Sequence, residues 1–388
     1  MKRLASWLLT GALFVSPAAA QTYYVYANAE SEDEVALIRF DGEQAEVVKT
    51  IPVGAWPTEI EGPHGITVDP DGKHWYLTMA HGVPFGKLYK FETGTDRVVG
   101  EVELGLYPAT MQLSPATGLL YVVNFNLHGD HVPSTVSVVE PETMTEIAQV
   151  ETGIMPHGSR ISPDGMHQYS VAMMSDELFE MDALSLEISR RLNVNPSATI
   201  LEHHGTAGMD HTMNHEAPPA APPEMAHEGG HNPDHHGGMT EYKPAKPTWA
   251  MPHPSKPIVY VANNGIDMIA EVDLDTWSIS RTFKTEKAPY NIDITPDGTK
   301  LVVTHKGAAS VGIIDTATGE YLAVVPSTRK ITHGVAVSPD GKYAFATAEG
   351  IGGEPGAVDV IDLTRLEKVA TVDIGKQAGG IAFWKMTP

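Results

Sequence analysis

Apolar and polar residues alternate in short runs along most of the chain, and each run is cut by a turn rich in Pro, Asp and Gly. Alternation with a period of two predicts strands with one buried face, and it argues against a helical architecture. One unit recurs: Gly-apolar-x-apolar-x-Pro-Asp-Gly, three residues, then Tyr-Val-x-Asn. Its copies are GITVDPDGKHWYLTM (65–79), TMQLSPATGLLYVVN (110–124), GSRISPDGMHQYSVA (158–172), WAMPHPSKPIVYVAN (249–263), NIDITPDGTKLVVTH (291–305) and GVAVSPDGKYAFATA (334–348). The anchor prolines are Pro70, Pro115, Pro163, Pro254, Pro296 and Pro339, spaced 45, 48, 91, 42 and 43 residues apart. A repeat in the low forties with a tight turn between its first two strands is the length of a four-stranded propeller blade, and the long interval predicts an insertion. Gly380-Ile381-Ala382-Phe383 begins a seventh unit that stops after one strand, while Tyr23 to Asn28 supplies the missing second strand at the other end. The two ends are therefore expected to share a closing blade, which removes the free sheet edges that an open solenoid or separate sandwiches would leave.

YVVN at 121–124 and YVAN at 260–263, each after a turn unit, resemble the YVTN-type seven-bladed β-propeller family. The resemblance runs through the chain outside the insertion. It implies an all-β, seven-bladed propeller over 21–388, and it implies little about function, because such propellers include enzymes, binding modules and interaction platforms.

Composition narrows the chemistry. With 26 Lys and Arg against 49 Asp and Glu, the net charge is -23 and a nucleic-acid partner is disfavoured. The absence of cysteine excludes disulfides, thiolate catalysis, Cys-ligated zinc, iron–sulfur clusters and covalently attached c-type heme, so any metal must use His, Met or carboxylates. Lys2 and Arg3, the apolar run Leu8 to Val15 and Ala18-Ala19-Ala20 predict a signal peptide over residues 1–20 and export to the periplasm, with no membrane span in a monomeric mature protein. No Gly-x-Ser-x-Gly elbow or phosphate-binding loop with its helix occurs.

Aligning the units on the anchor proline gives the histidines a pattern. Six residues before the proline stand His64, Ala109, His157, Thr248, Tyr290 and His333, and each of the three histidines is followed by glycine. The first strand of a propeller blade lines the central channel, so these three imidazoles are expected to converge at one mouth, with the glycines permitting close backbone approach. Neutral imidazole is the commonest metal ligand, and three or four without thiolate or carboxylate neighbours suit copper, zinc, nickel or iron. His305, nine residues after its proline, ends a second strand on the same face and is expected as a fourth or supporting ligand. Arg160, Tyr290 and Asp293 are expected behind the ligands, Arg160 and Asp293 either as an inter-blade salt bridge or as a carboxylate clamp. His74, His167 and His253 belong to the opposite face and are expected at the surface.

The insertion between blades 3 and 4, residues 203–246, is rich in His, Met and Pro and is expected to be disordered. It carries His203, His204, His211, His215, His227, His231, His235 and His236, and Met209 and Met213 alternate with two of these histidines. Thioether with imidazole favours copper over zinc, so the segment is expected to scavenge copper beside the mouth. Nitrous oxide reductase is similar in architecture and ligand type, yet its cupredoxin domain is absent and three aligned histidines are fewer than its cluster uses. A mononuclear three-His copper site follows, serving copper binding and delivery with a periplasmic partner or redox chemistry as a copper-dependent oxidoreductase. The competing expectation is an interaction platform with structural histidines and a loosely metal-binding loop.

Overall fold

A computed structural model describes residues 21–56, 58–80, 86–197 and 242–388. Residues 1–20, where a signal peptide is expected, His81 and the His/Met-rich stretch from His203 to Met239 lie outside the described residues. Seven four-stranded antiparallel sheets form a seven-bladed β-propeller. In six blades the strands follow one another in sequence; blade 1, for instance, runs Pro63–Val68, His74–Met79, Lys87–Glu92 and Arg97–Glu103. The seventh is shared as expected, with Ala378–Thr387 innermost and Thr22–Ala29, Glu34–Phe40 and Ala45–Pro52 outside it. Tyr26 pairs with Ala382 and Val25 with Phe383 across that junction.

The Pro-Asp-Gly turns form because glycine takes the left-handed backbone, with φ of 69° at Gly72 and 72° at Gly298. In three of these turns the Ser or Thr before the proline reaches the turn aspartate: Ser162 to Asp164, Thr295 to Asp297, and Ser338 Oγ to Asp340 Oδ1 at 2.6 Å. Apolar faces of neighbouring blades pack on each other, so the core is a set of wedges between sheets. In the wedge between blades 7 and 1, Trp75 stacks on Phe91 and Tyr26, and Trp75 Nε1 and the Tyr26 hydroxyl both donate to Asp96.

One ring of hydrogen bonds fixes the axis. The carbonyl six residues before each anchor proline, and its Gly379 equivalent in blade 7, accepts from the preceding blade. Asn28 donates to His64, Thr78 to Ala109, Thr110 to His157, His157 Nδ1 to Thr248, Thr248 to Tyr290, Thr304 to His333 and Thr347 to Gly379. At blade 3 the donor is an imidazole. Every blade thereby grips the next, and the ring has no open seam.

Candidate metal centre at the channel mouth

The glycine after each aligned histidine has a direct steric cause. A Cβ at Gly65 would stand 1.8 Å from the Ala109 carbonyl oxygen, one at Gly158 2.2 Å from that of Thr248, and one at Gly334 2.8 Å from that of Gly379. Only glycine lets the next blade's carbonyl come this close. The first strands therefore crowd the axis and carry their histidines together, with ring centroids 6.1 Å apart for His64 and His157 and 5.9 Å for His64 and His333. The three are 7%, 1% and 8% exposed, so they converge as the sequence predicts.

Their hydrogen bonds orient them. The Glu30 carboxylate accepts from His64 Nδ1 at 2.8 Å and is itself held by Gln377. The Thr248 carbonyl accepts from His157 Nδ1 at 3.0 Å, which fixes the proton on Nδ1 and leaves a lone pair on Nε2. The Tyr290 hydroxyl donates to that lone pair at 2.8 Å. His333 Nε2 stands 3.9 Å from Glu349 Oε1, and its Nδ1 is buried without a hydrogen-bond partner. Lys306 lies 3.6 Å from the same carboxylate and 4.4 Å from the Tyr290 ring centroid.

Burial disfavours the charged forms of His157, Tyr290, His333 and Glu349. It pulls the His157 imidazolium down to about 3, reinforced by His64, and pushes His333 well below the ordinary range, reinforced by Lys306. Burial raises the Tyr290 phenol far above its usual value and also raises the Glu349 carboxyl, against the pull of Lys306. His157 and His333 are thus unprotonated at neutral pH, the form a metal requires.

Imidazole nitrogens about 2.0–2.1 Å from one ion would place ring centroids about 5.2–5.5 Å apart. The observed spacing is somewhat wider. Among the described residues no group of three or more His, Asp or Glu stands in ligating geometry. The donor set nevertheless fits an ion. His157 Nε2 carries its lone pair into the mouth, His333 retains a partnerless nitrogen, and the cavity beneath leaves about 40 Å³ for the centres of water molecules, room for roughly three of them. That space suits an ion or a small molecule and is too small for a macrocycle.

Other expected positions fall differently. His305 is fully buried at the right height on the wrong side of its strand; Ser310 Oγ lies 3.2 Å from Nδ1 and the Tyr321 hydroxyl 2.9 Å from Nε2, so both nitrogens serve blade 5. His253 is not at the surface: it is 2% exposed, and its Nδ1 accepts from the amides of Ser255 and Lys256. Arg160 lines the cavity under the histidines, and Asp293 a second cavity deeper in the channel. Glu30, Tyr107, Lys306 and Glu349 were not anticipated. Ten residues after the proline stand Phe125, Lys306 and Glu349, so the same alignment read one position further would have found three mouth residues.

The fold and this mouth define a β-propeller with a histidine-lined axial cavity. The Cytochrome D1 heme domain family matches residues 296–385, which include His333 and Glu349. The seven-bladed beta-propeller protein Rv1057 of Mycobacterium tuberculosis is 26% identical over 125 residues, and the chain spans 31% of that relative's length and 31% of its own. Hydrazine synthase of Kuenenia stuttgartiensis is structurally similar, with a TM-score of 0.57 at 20% identity, covering 80% of this chain and 79% of that one. This likeness concerns the fold alone.

Proposed function

We propose that this chain is an exported, periplasmic propeller of the YVTN type that binds one transition-metal ion, copper before zinc, through His64, His157 and His333. The observation that carries the reading is the convergence of three buried imidazoles from blades 1, 3 and 6 on one axis, two of them held through Nδ1 by Glu30 and the Thr248 carbonyl. Binding requires the Tyr290 hydroxyl to leave His157 Nε2 and His64 to close on each of the other two rings by about half an ångström. A bound copper ion would supply a redox-active Lewis acid with an open coordination position. The chain's own residues would hold the imidazoles in their ligating tautomers, and Tyr107, Phe125 and Trp249 would shield the site from bulk water. The His- and Met-rich stretch from His203 to Met239 would raise the local copper concentration beside the mouth.

The test is metal content and electron paramagnetic resonance of untagged protein from copper-supplemented cells. About one Cu(II) per chain with nitrogen hyperfine structure is expected, retained when residues 203–239 are deleted and lost in a His64→Ala/His333→Ala variant. Copper that disappears with the deletion alone would overturn the channel site and leave an interaction platform, a role that the Tyr290–His157 hydrogen bond also suits.

A further inference from the structure

Beneath the histidines the channel holds one cation whose charge the metal site does not use. Arg160 is the residue three before its anchor proline, and its side chain lies in the wall between the upper and lower axial cavities. Its guanidinium packs over the Trp249 ring, 4.4 Å from the centroid, and donates through Nη1 only to the carbonyl of its own neighbour Ser159 at 2.8 Å. Asp293 attracts it from the lower cavity but spends its oxygens on the amides of Val337 and Ile294, at 2.7 and 2.8 Å. Burial lowers the Arg160 guanidinium to about 10, against the pull of Asp293, so the ion is held at a desolvation cost and still charged at neutral pH. One donor of the upper cavity is unsatisfied, since Trp249 Nε1 is buried without a hydrogen-bond partner.

We infer that this upper cavity is a binding site for a small planar monoanion, a carboxylate of the formate or acetate type, held by Arg160 on the floor of the histidine-lined mouth. The guanidinium fork matches the two oxygens of a carboxylate, and room for roughly three waters fits three or four heavy atoms. The Met111, Ile66 and Ile381 side chains that also line the cavity suit the hydrogen or methyl of such an ion. A tetrahedral dianion is too large and carries one charge too many for a single arginine. The site goes beyond the metal reading and does not need a metal, since all its recognition groups belong to the chain.

Chelator-treated, metal-free protein is titrated with sodium formate and sodium acetate at constant ionic strength, followed by calorimetry and tryptophan fluorescence. Saturable one-to-one binding is expected, with sulfate and butyrate at least tenfold weaker. Arg160→Gln should weaken acetate at least tenfold. Arg160→Gln should keep the wild-type copper content, so failure of the metal site and failure of the anion site are separable. If Arg160→Gln does not fold, the wild-type size series and Trp249→Phe, expected to lose several-fold affinity, carry the test. No saturation in the wild type, or equal binding of sulfate and butyrate, would overturn the inference.

Discussion

His157 and His305 occupy two regions that look alike residue by residue. Both are buried, both are kept neutral by burial, and each has a tyrosine hydroxyl on Nε2 and an oxygen partner on Nδ1. Their partners differ in origin. His305 meets Ser310 and Tyr321, both in blade 5, so it fastens one sheet to itself. His157 of blade 3 meets Thr248 of blade 4 and Tyr290 of blade 5, while His64 meets Glu30 of blade 7. Burial and a tyrosine partner therefore do not mark a site in this fold; partners drawn from several blades to one axis do.

The sharpest way to break that comparison is to swap the two losses. His333→Ala should abolish the bound copper and keep the cooperative melt, whereas His305→Ala should keep the copper and lose about 2–3 kcal/mol of stability, because it leaves a cavity and a partnerless Tyr321 hydroxyl. Copper analysis and urea unfolding on the same samples decide it, and copper lost with His305 would restore that residue to the site. Next comes the steric root of the axis. Gly158→Ala should cost about 3 kcal/mol in urea unfolding, since its Cβ would fall 2.2 Å from the Thr248 oxygen, while Gly353→Ala, with nothing within 4 Å, should change stability little.

A pH series sharpens the same contrast. Burial holds His305 at about 4 in the folded chain, against about 6.5 when unfolded, so the unfolded state takes up the proton first. Stability should be fully present above pH about 6.5 and fall as the pH drops towards 4. His305→Gln should flatten that slope by about one proton, and an unchanged slope would show that His305 is not the group responsible. The smallest effect is expected from Tyr290→Phe: removal of the hydroxyl from His157 Nε2 should cost about 1 kcal/mol of stability and tighten copper binding about fivefold. Weaker copper binding would instead mean that the phenol assists the ligands.

Much of this was legible in the primary structure because it depends on period and on glycine. The anchor prolines gave the blade count, the complementary ends gave the shared blade, and the His-Gly pairs marked where neighbouring backbones press on the axis. His305 misled because a strand end fixes height along the channel but not the side to which the residue turns. The position nine after the proline faces into the blade, where Asn124 likewise bonds Ser137 and Thr135. Glu30, Lys306 and Glu349 escaped because a charged residue at a strand end is ordinarily solvated, and only the closeness of seven strand ends around one axis makes it part of a site.

The imidazole of His157 is also the fastener of one joint. Every other blade-to-blade hand-over around the axis is made by a threonine hydroxyl or by Asn28, groups that neither titrate in the physiological range nor take a metal readily. Close by, Asp176 of blade 3 clamps the returning chain through Tyr242, Ala245 and Lys246, where it re-enters the fold from the His- and Met-rich stretch. Whatever tilts that one ring works directly on the joint between blades 3 and 4. Amide exchange around Thr248 and Trp249 would then report, from outside the mouth, what the axis is holding.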